Sequence, residues 1–200
     1  MKQAYVYYAP LPDSVGGNRL YPDERMREIE KCANERVRRE KYWAWVLLEK
    51  ALKDAFNLEI NNLQFTKSDC GKWSCDHCHF SISHSDGILA VAVSGEPIGV
   101  DAERIRAQRD GIEGKILSDA ELSHYLTLGA DARTEYLIST WCKKEAIFKS
   151  QGEAALMPKT VQTQDKDVYT THLHLASDEY ILACTATPSR IVRISLSERS

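Results

Sequence analysis

The stretch from Phe80 to Val93 restricts the fold more than any other. Phe80-Ser81-Ile82-Ser83-His84-Ser85 alternates apolar and polar residues, Asp86-Gly87 follows, and Ile88 to Val93 is apolar throughout. Alternation marks a strand with one covered face, and Asp-Gly is a favoured hairpin turn. An unbroken apolar strand needs cover on both faces, so the chain must lay a packing layer on each side of a sheet. Gly95-Glu96-Pro97 makes the next turn and leads into Ile98-Gly99-Val100-Asp101-Ala102-Glu103. Along a strand, Asp101 and Glu103 point one way while Val100 and Ala102 point into the protein. Two carboxylates on one face repel each other, and a cation between them relieves the repulsion. Hard oxygen ligands of this kind suit Mg²⁺ better than zinc. The plainer alternative is a strand end that turns polar as it leaves the core.

The rest of the chain supplies the covering layers. Ala4-Tyr5-Val6-Tyr7-Tyr8, closed by Pro10, reads as a first strand. Pro22-Asp23-Glu24 reads as a helix start, and the charged run to about Arg39 as a mostly solvated helix. From Lys41 to Phe56, Trp45, Leu48, Leu52 and Ala55 recur at helical spacing, which predicts a core-facing helix. Arg36, Arg38, Arg39 and Lys41 stand where these helices meet. They form either a local anion site or a solvated face interleaved with Glu35 and Glu40. Leu58 to Phe65 reads as a strand, and Val168 to Leu175 and Tyr180 to Thr187 as two more.

Composition excludes several classes. With 200 residues, 43% hydrophobic and 28% charged, the chain is neither disordered nor fibrous. A net charge of −3 gives no electrostatic footprint for nucleic acid. No stretch approaches the length of a membrane span, and Met1 to Gly17 has no signal-peptide core. Six cysteines without such a signal read as reduced cytoplasmic thiols. Cys75 and Cys78 have the spacing of half a zinc site, which Cys70, His77 or His79 could complete. A second well-spaced ligand pair does not follow, so the segment is expected to be a compact loop with free thiols.

A second chemical signal comes later. Ser118-Asp119-Ala120-Glu121 is a capping box, Gly129 ends that helix and Asp131 is expected to cap the next. That helix contains Trp141-Cys142-Lys143-Lys144-Glu145-Ala146-Ile147-Phe148-Lys149. Trp141, Glu145 and Lys149 share one face. Glu145 and Lys149 form either a surface ion pair or, with the strand acids, a three-carboxylate metal site with a lysine at the same anion.

Gly99-Val100-Asp101-Ala102-Glu103, about forty residues before the Trp141 to Lys149 run, resembles the two signature motifs of the 4′-phosphopantetheinyl transferases. Phe80 to Ser85 resembles a third motif, found in the longer, surfactin-synthetase-activating type of that family. The resemblance implies transfer of the phosphopantetheine arm of coenzyme A onto a serine of an acyl or peptidyl carrier protein, releasing 3′,5′-ADP. It implies that Asp101, Glu103 and Glu145 hold Mg²⁺, or Mn²⁺ in its place, with the pyrophosphate. Lys149 and Lys144 would lie near the transferred phosphate, and Ser83 and His84 at the coenzyme 3′-phosphate. Lys72 would lie near the adenine, although Trp73 replaces the proline of the family's Gly-Lys-Pro loop, and Arg39 and Lys41 fall where the family places phosphate contacts. Phosphoryl transfer needs a bridging cation, fixed positive charge and a base for the attacking hydroxyl. Either Glu145 or a metal-bound water would be that base.

The fold this implies is α+β, with two pseudo-symmetric halves, each a small antiparallel-rich sheet packed with helices, and the cofactor between them. The halves are expected at 1–97 and 98–200. The expected protein is a cytoplasmic monomer that binds neither nucleic acid nor membrane. Two alternatives from other classes are a carrier-binding module of the same fold without the chemistry, and a zinc-stabilised interaction module built on the cysteine loop.

Overall fold

The computed structural model describes residues 3–17, 20–69, 71–152, 155–164 and 166–197. In chain order the strands are β1 (Ala4–Pro10), β2 (Phe65–Lys67), β3 (Trp73–Cys75), β4 (His79–Ser85), β5 (Ile88–Ser94), β6 (Val100–Arg104), β7 (Tyr169–Leu175), β8 (Asp178–Cys184) and β9 (Arg190–Arg193). The α-helices are α1 (Asp23–Glu30), α2 (Glu35–Phe56), α3 (Glu113–Ile116), α4 (Asp119–Thr127) and α5 (Ala130–Gln151). One sheet has the order β4-β5-β1-β9, another the order β6-β8-β7, and β2 and β3 form a separate ribbon. All pairings are antiparallel except β1 with β9. The expected α+β class with antiparallel-rich sheets is what the chain adopts.

The two larger sheets repeat one pairing order. In each, the second strand of a hairpin (β4-β5, β7-β8) pairs antiparallel with the strand that precedes the helices, β1 or β6. The strand β9 then returns to the first sheet beside β1, so the chain's end is built into the sheet formed by its beginning.

The apolar run Ile88 to Val93 explains the layering. Leu89, Val91 and Val93 face the core under α2, with Trp43, Trp45, Leu47 and Leu48. Ile88, Ala90 and Ala92 face the second sheet and meet Val100, Ala102, Tyr180 and Leu182. Each side of β5 is thus covered, by a helix on one side and a sheet on the other. Beyond the second sheet, Ile181 and Ala183 pack on Ile138, Cys142 and Ala146 of α5. The order of layers is α2, first sheet, second sheet, α5.

Several local expectations need correction. The helix predicted from Pro22 to about Arg39 breaks after Glu30, because Asn34 accepts a hydrogen bond from the Val37 N–H (3.1 Å) and starts α2 afresh. Arg36 to Lys41 therefore lie in the first turns of α2. The Leu58–Phe65 strand is a 3-10 turn, Ile60–Asn62, with β2 beginning only at Phe65. The cysteine loop includes the strand β3. Asp131 does not cap α5; Gly129 holds that position and Asp131 sits in the first turn.

Lys144 departs furthest from expectation. Its ammonium donates to the carbonyls of Ile116 (3.1 Å) and Pro158 (2.8 Å) and pairs with Glu121 at 2.6 Å. An ammonium has three donors, so this set uses all of them and leaves none for a phosphate. Glu121 is the partner acid of the capping box of α4 and also accepts from Thr163 (2.9 Å). Lys144 is therefore a buried tie between α3, α4, α5 and the turn at Pro158, and it points away from the strand acids.

Gly99 sets how close α5 lies to β6. A Cβ there would stand 1.8 Å from the carbonyl oxygen of Ala146 and 2.8 Å from the N of Ser150. Only glycine lets the strand start run against the helix backbone. Gly99→Ala should cost at least about 1–3 kcal/mol by overpacking and push α5 away from β6. Chemical denaturation checks it, and a stability equal to the parent's would contradict this packing. Lys144→Ala should cost about 3–5 kcal/mol, because it leaves Glu121 buried without its cation. The same measurement reads it, and a loss below 1 kcal/mol would return Lys144 to the list of candidate phosphate ligands.

Candidate active site

The site is assembled by two periodicities. Period two along β6 sends Val100 and Ala102 into the sheet–sheet core and Asp101 and Glu103 to the side covered by α5. There they meet the i, i+4, i+8 stripe of Trp141, Glu145 and Lys149. Asp101 is only 2% exposed. Its Oδ1 accepts from Lys149 Nζ and from Ser83 Oγ, each at 2.7 Å, while its Oδ2 is buried without a hydrogen-bond partner.

A ladder of serines fixes the edge of β6 against the edge of β4. Ser81 Oγ accepts from the Val100 N–H (3.1 Å), Ser83 Oγ accepts from the Ala102 N–H (3.3 Å), and Ser85 donates to Glu103. Ser83 is thereby turned onto Asp101 and Ala102. It is not among the residues that line the neighbouring cavity.

The electrostatics follow from crowding carboxylates beneath a helix. Burial, and then the charge of Asp101, push Glu103 up to about 7 against hydrogen bonds from Ser85 and Trp141. Burial, and then Asp101, also raise Glu145, while Lys149 opposes the shift. Burial works against the charge on Lys149, but Asp101 and Glu145 outweigh it and hold the ammonium above the ordinary lysine range. One lysine thus balances an excess of acids.

Lys149 also closes one side of a cavity of about 350 Å³. Its walls include Trp45, Trp73, Phe80, Ile82 and Phe148, and its polar side chains are Arg25, Lys72, Ser81, His84 and Lys149. Lys72 Nζ donates to the carbonyl of Lys149, which ties the loop before β3 to the end of α5. His84 Nδ1 lies 3.3 Å from Glu40. Burial lowers the His84 pKa against that carboxylate, helped by the positive charges of Lys149, Arg25 and Lys41. Apolar, aromatic walls with several cations suit a phosphorylated ligand that carries a flat ring.

The structure separates the residues expected to bind such a ligand. Lys72 and His84 line the cavity, whereas Arg39 and Lys41 do not. Arg39 donates to the carbonyl of Asp13, and the carbonyl of Lys41 accepts from Arg25 (3.4 Å). Arg25 is the residue that sequence reasoning missed. Its guanidinium lies 5.2 Å from the centre of the Trp45 ring and bonds Glu28 (3.2 Å). Within a run of charged residues in α1 nothing marked it apart from Arg27.

In the cysteine segment, Cys75 and Cys78 have their sulfurs 3.6 Å apart, and His77 pairs with Asp76 at 2.7 Å. Cys70 lies outside the described residues. Among the described residues, no group of three or more His, Cys, Asp or Glu side chains is placed to hold a metal ion by itself, the strand and helix acids included. No helix among them is long and apolar enough to cross a membrane.

The sequence is similar to known proteins. Residues 97–190 match the family model described as the 4′-phosphopantetheinyl transferase superfamily, a segment that contains Asp101, Glu103, Glu145 and Lys149. The chain is 28% identical over 117 residues to the 4′-phosphopantetheinyl transferase Sfp of Bacillus subtilis (strain 168), covering 56% of this chain and 52% of that protein. It is 29% identical, over the same length and shares, to the 4′-phosphopantetheinyl transferase ffp of Bacillus subtilis. It is 27% identical over 154 residues to the 4′-phosphopantetheinyl transferase gsp of Aneurinibacillus migulanus, covering 68% and 65%. In the first two comparisons the match spans about half the length of the relative. The family resemblance carried by the motifs is therefore shared by the acid-bearing strand and helix as a unit, and it is a resemblance to the 4′-phosphopantetheinyl transferase superfamily.

Proposed function

We propose that this chain transfers the 4′-phosphopantetheine arm of coenzyme A to a serine of an apo carrier protein and releases 3′,5′-ADP. The observation that carries this reading is Lys149, which contacts Asp101 at 2.7 Å and also lines the cationic, aromatic-walled cavity. One side chain joins an aromatic-walled, cationic space to a carboxylate face, as transfer from a nucleotide pyrophosphate requires.

A divalent cation fits the residues present. The donors are hard carboxylate oxygens, and the buried, unpartnered Oδ2 of Asp101 is a ligand atom lacking a partner. Mg²⁺ usually takes one or two carboxylates and completes its shell with phosphate oxygens and water, so a ready-made protein cage is not required. Asp101, Glu103 and Glu145 are the ligands we assign. Bound there, the cation would neutralise phosphate charge as the bond to the leaving nucleotide breaks.

The chain's own residues supply the other roles. Lys149 presents fixed positive charge to the transferred phosphoryl group. Arg25, Lys72 and His84 hold the nucleotide phosphates, and the aromatic walls offer faces for the flat base. Glu145 is the side chain we assign to take the proton of the attacking serine hydroxyl. We further read the catalytic unit as a cytoplasmic monomer, with the site between the portions 1–97 and 98–200.

The test is incubation with coenzyme A, Mg²⁺ and a panel of apo carrier proteins, read as intact-mass gain on the carrier. The parent chain should add one phosphopantetheine per carrier. Glu145→Gln should lower kcat/KM about a hundredfold or more, the scale of losing one group that acts in the transition state. Absence of transfer to any carrier, or a Glu145→Gln rate near the parent's, would overturn the proposal.

A further inference from the structure

Cys75 and Cys78 take no part in the proposed transfer, yet they are set up for chemistry of their own. Cys75 ends β3 and Cys78 directly precedes β4, so the pair spans the turn between two strands whose Trp73, Phe80 and Ser81 line the cavity. Their sulfurs are 3.6 Å apart, and the Cys75 thiol donates to the Cys78 carbonyl at 3.3 Å. Cys78 is buried and Cys75 only partly so, which makes Cys75 the more accessible residue of the pair.

We propose that Cys75 and Cys78 are a redox-active dithiol, with Cys75 as the attacking sulfur, Cys78 as the resolving sulfur and a low-molecular-weight disulfide as the oxidant. The Cys75 thiolate attacks one sulfur of the oxidant, whose S–S bond breaks and releases one thiolate. Cys78 then loses its proton and attacks the Cys75 sulfur, releasing the second thiolate. The protein gives up two electrons and two protons, and one oxidant disulfide becomes two thiols. Closing the sulfurs to a bond length of about 2.05 Å is a movement that side-chain torsions can supply.

The local field favours this order of events. As a thiol Cys75 donates to the Cys78 carbonyl, but once ionised its sulfur accepts from the Cys78 S–H and from the backbone N–H groups of Cys78 and His77, which outweigh burial and bring the Cys75 thiol down to about 6. The same contact, with burial, holds Cys78 above its ordinary value. A thiolate at neutral pH beside a protonated partner is the arrangement that exchange with a disulfide needs.

The experiment equilibrates the purified chain with mixtures of reduced and oxidised glutathione, quenches in acid, alkylates, and maps the cysteines by peptide mass. The parent should give a Cys75–Cys78 disulfide, lighter by two hydrogens, at oxidising ratios. Cys78→Ser should instead retain one glutathione on Cys75, and Cys75→Ser should form neither product. Alkylation of Cys75 in the parent should rise with pH about a midpoint near 6. The proposal is overturned if both thiols stay alkylatable at every ratio or if Cys78→Ser takes up no glutathione. It is overturned equally if a bound metal protects the pair until a chelator is added.

Discussion

A buried carboxylate decides the architecture around it. Asp101 is almost wholly removed from water, and a charge so placed is tolerable only with a close cation and hydrogen bonds. Lys149 and Ser83 supply these at 2.7 Å each. Both depend on packing: Lys149 reaches Asp101 because Gly99 lets α5 lie against β6, and Ser83 does so because β4 lies beside β6. The apolar strand β5 supports both arrangements, since it pairs with β4 and is covered by the second sheet.

The pair is an incomplete solution to the charge problem. Glu103 and Glu145 share the same surroundings, and each is raised by burial and by Asp101. The fold therefore stores carboxylates that are reluctant to ionise beside one that is already paired. A cation arriving with a phosphate would favour the ionised form of Glu103 and Glu145. The cationic cavity behind Lys149 is on the side from which such an anion would come.

Much of this was legible wherever a short-range rule had no competitor. Alternation put Asp101 and Glu103 on one face, Asp-Gly located the β4-β5 hairpin, and the i, i+4, i+8 spacing aligned Trp141, Glu145 and Lys149. Reading failed where the deciding partner was distant or where two rules overlapped. Lys144 and Lys149 belong to the same motif, but Lys144 sits about 100° of helix rotation from its neighbour Glu145, and its partners Ile116, Glu121 and Pro158 come from elsewhere in the chain. Arg25 became a cavity residue through its stacking on Trp45 in the next helix. Ser83 carried the expected side chain, but β6 came close enough to claim its hydroxyl. The strand β9 is four residues long and finds its partner, β1, at the other end of the chain.

If Asp101, Glu103 and Glu145 form a shared cation site, binding at neutral pH must expel a proton from Glu103, because a divalent ion favours the charged form of a carboxyl that the fold holds partly neutral. Glu103, raised to about 7, binds a proton in the folded chain over a range where an ordinary carboxyl would not. The direct measurement is calorimetric titration of the chain with Mg²⁺ at pH 7, with coenzyme A present, in two buffers of different ionisation heat. The predicted result is saturable binding whose heat differs between buffers by a net release of protons, with both binding and release lost in Asp101→Asn. Mg²⁺ binding with the same heat in both buffers, or undiminished binding to Asp101→Asn, would contradict the shared carboxylate site.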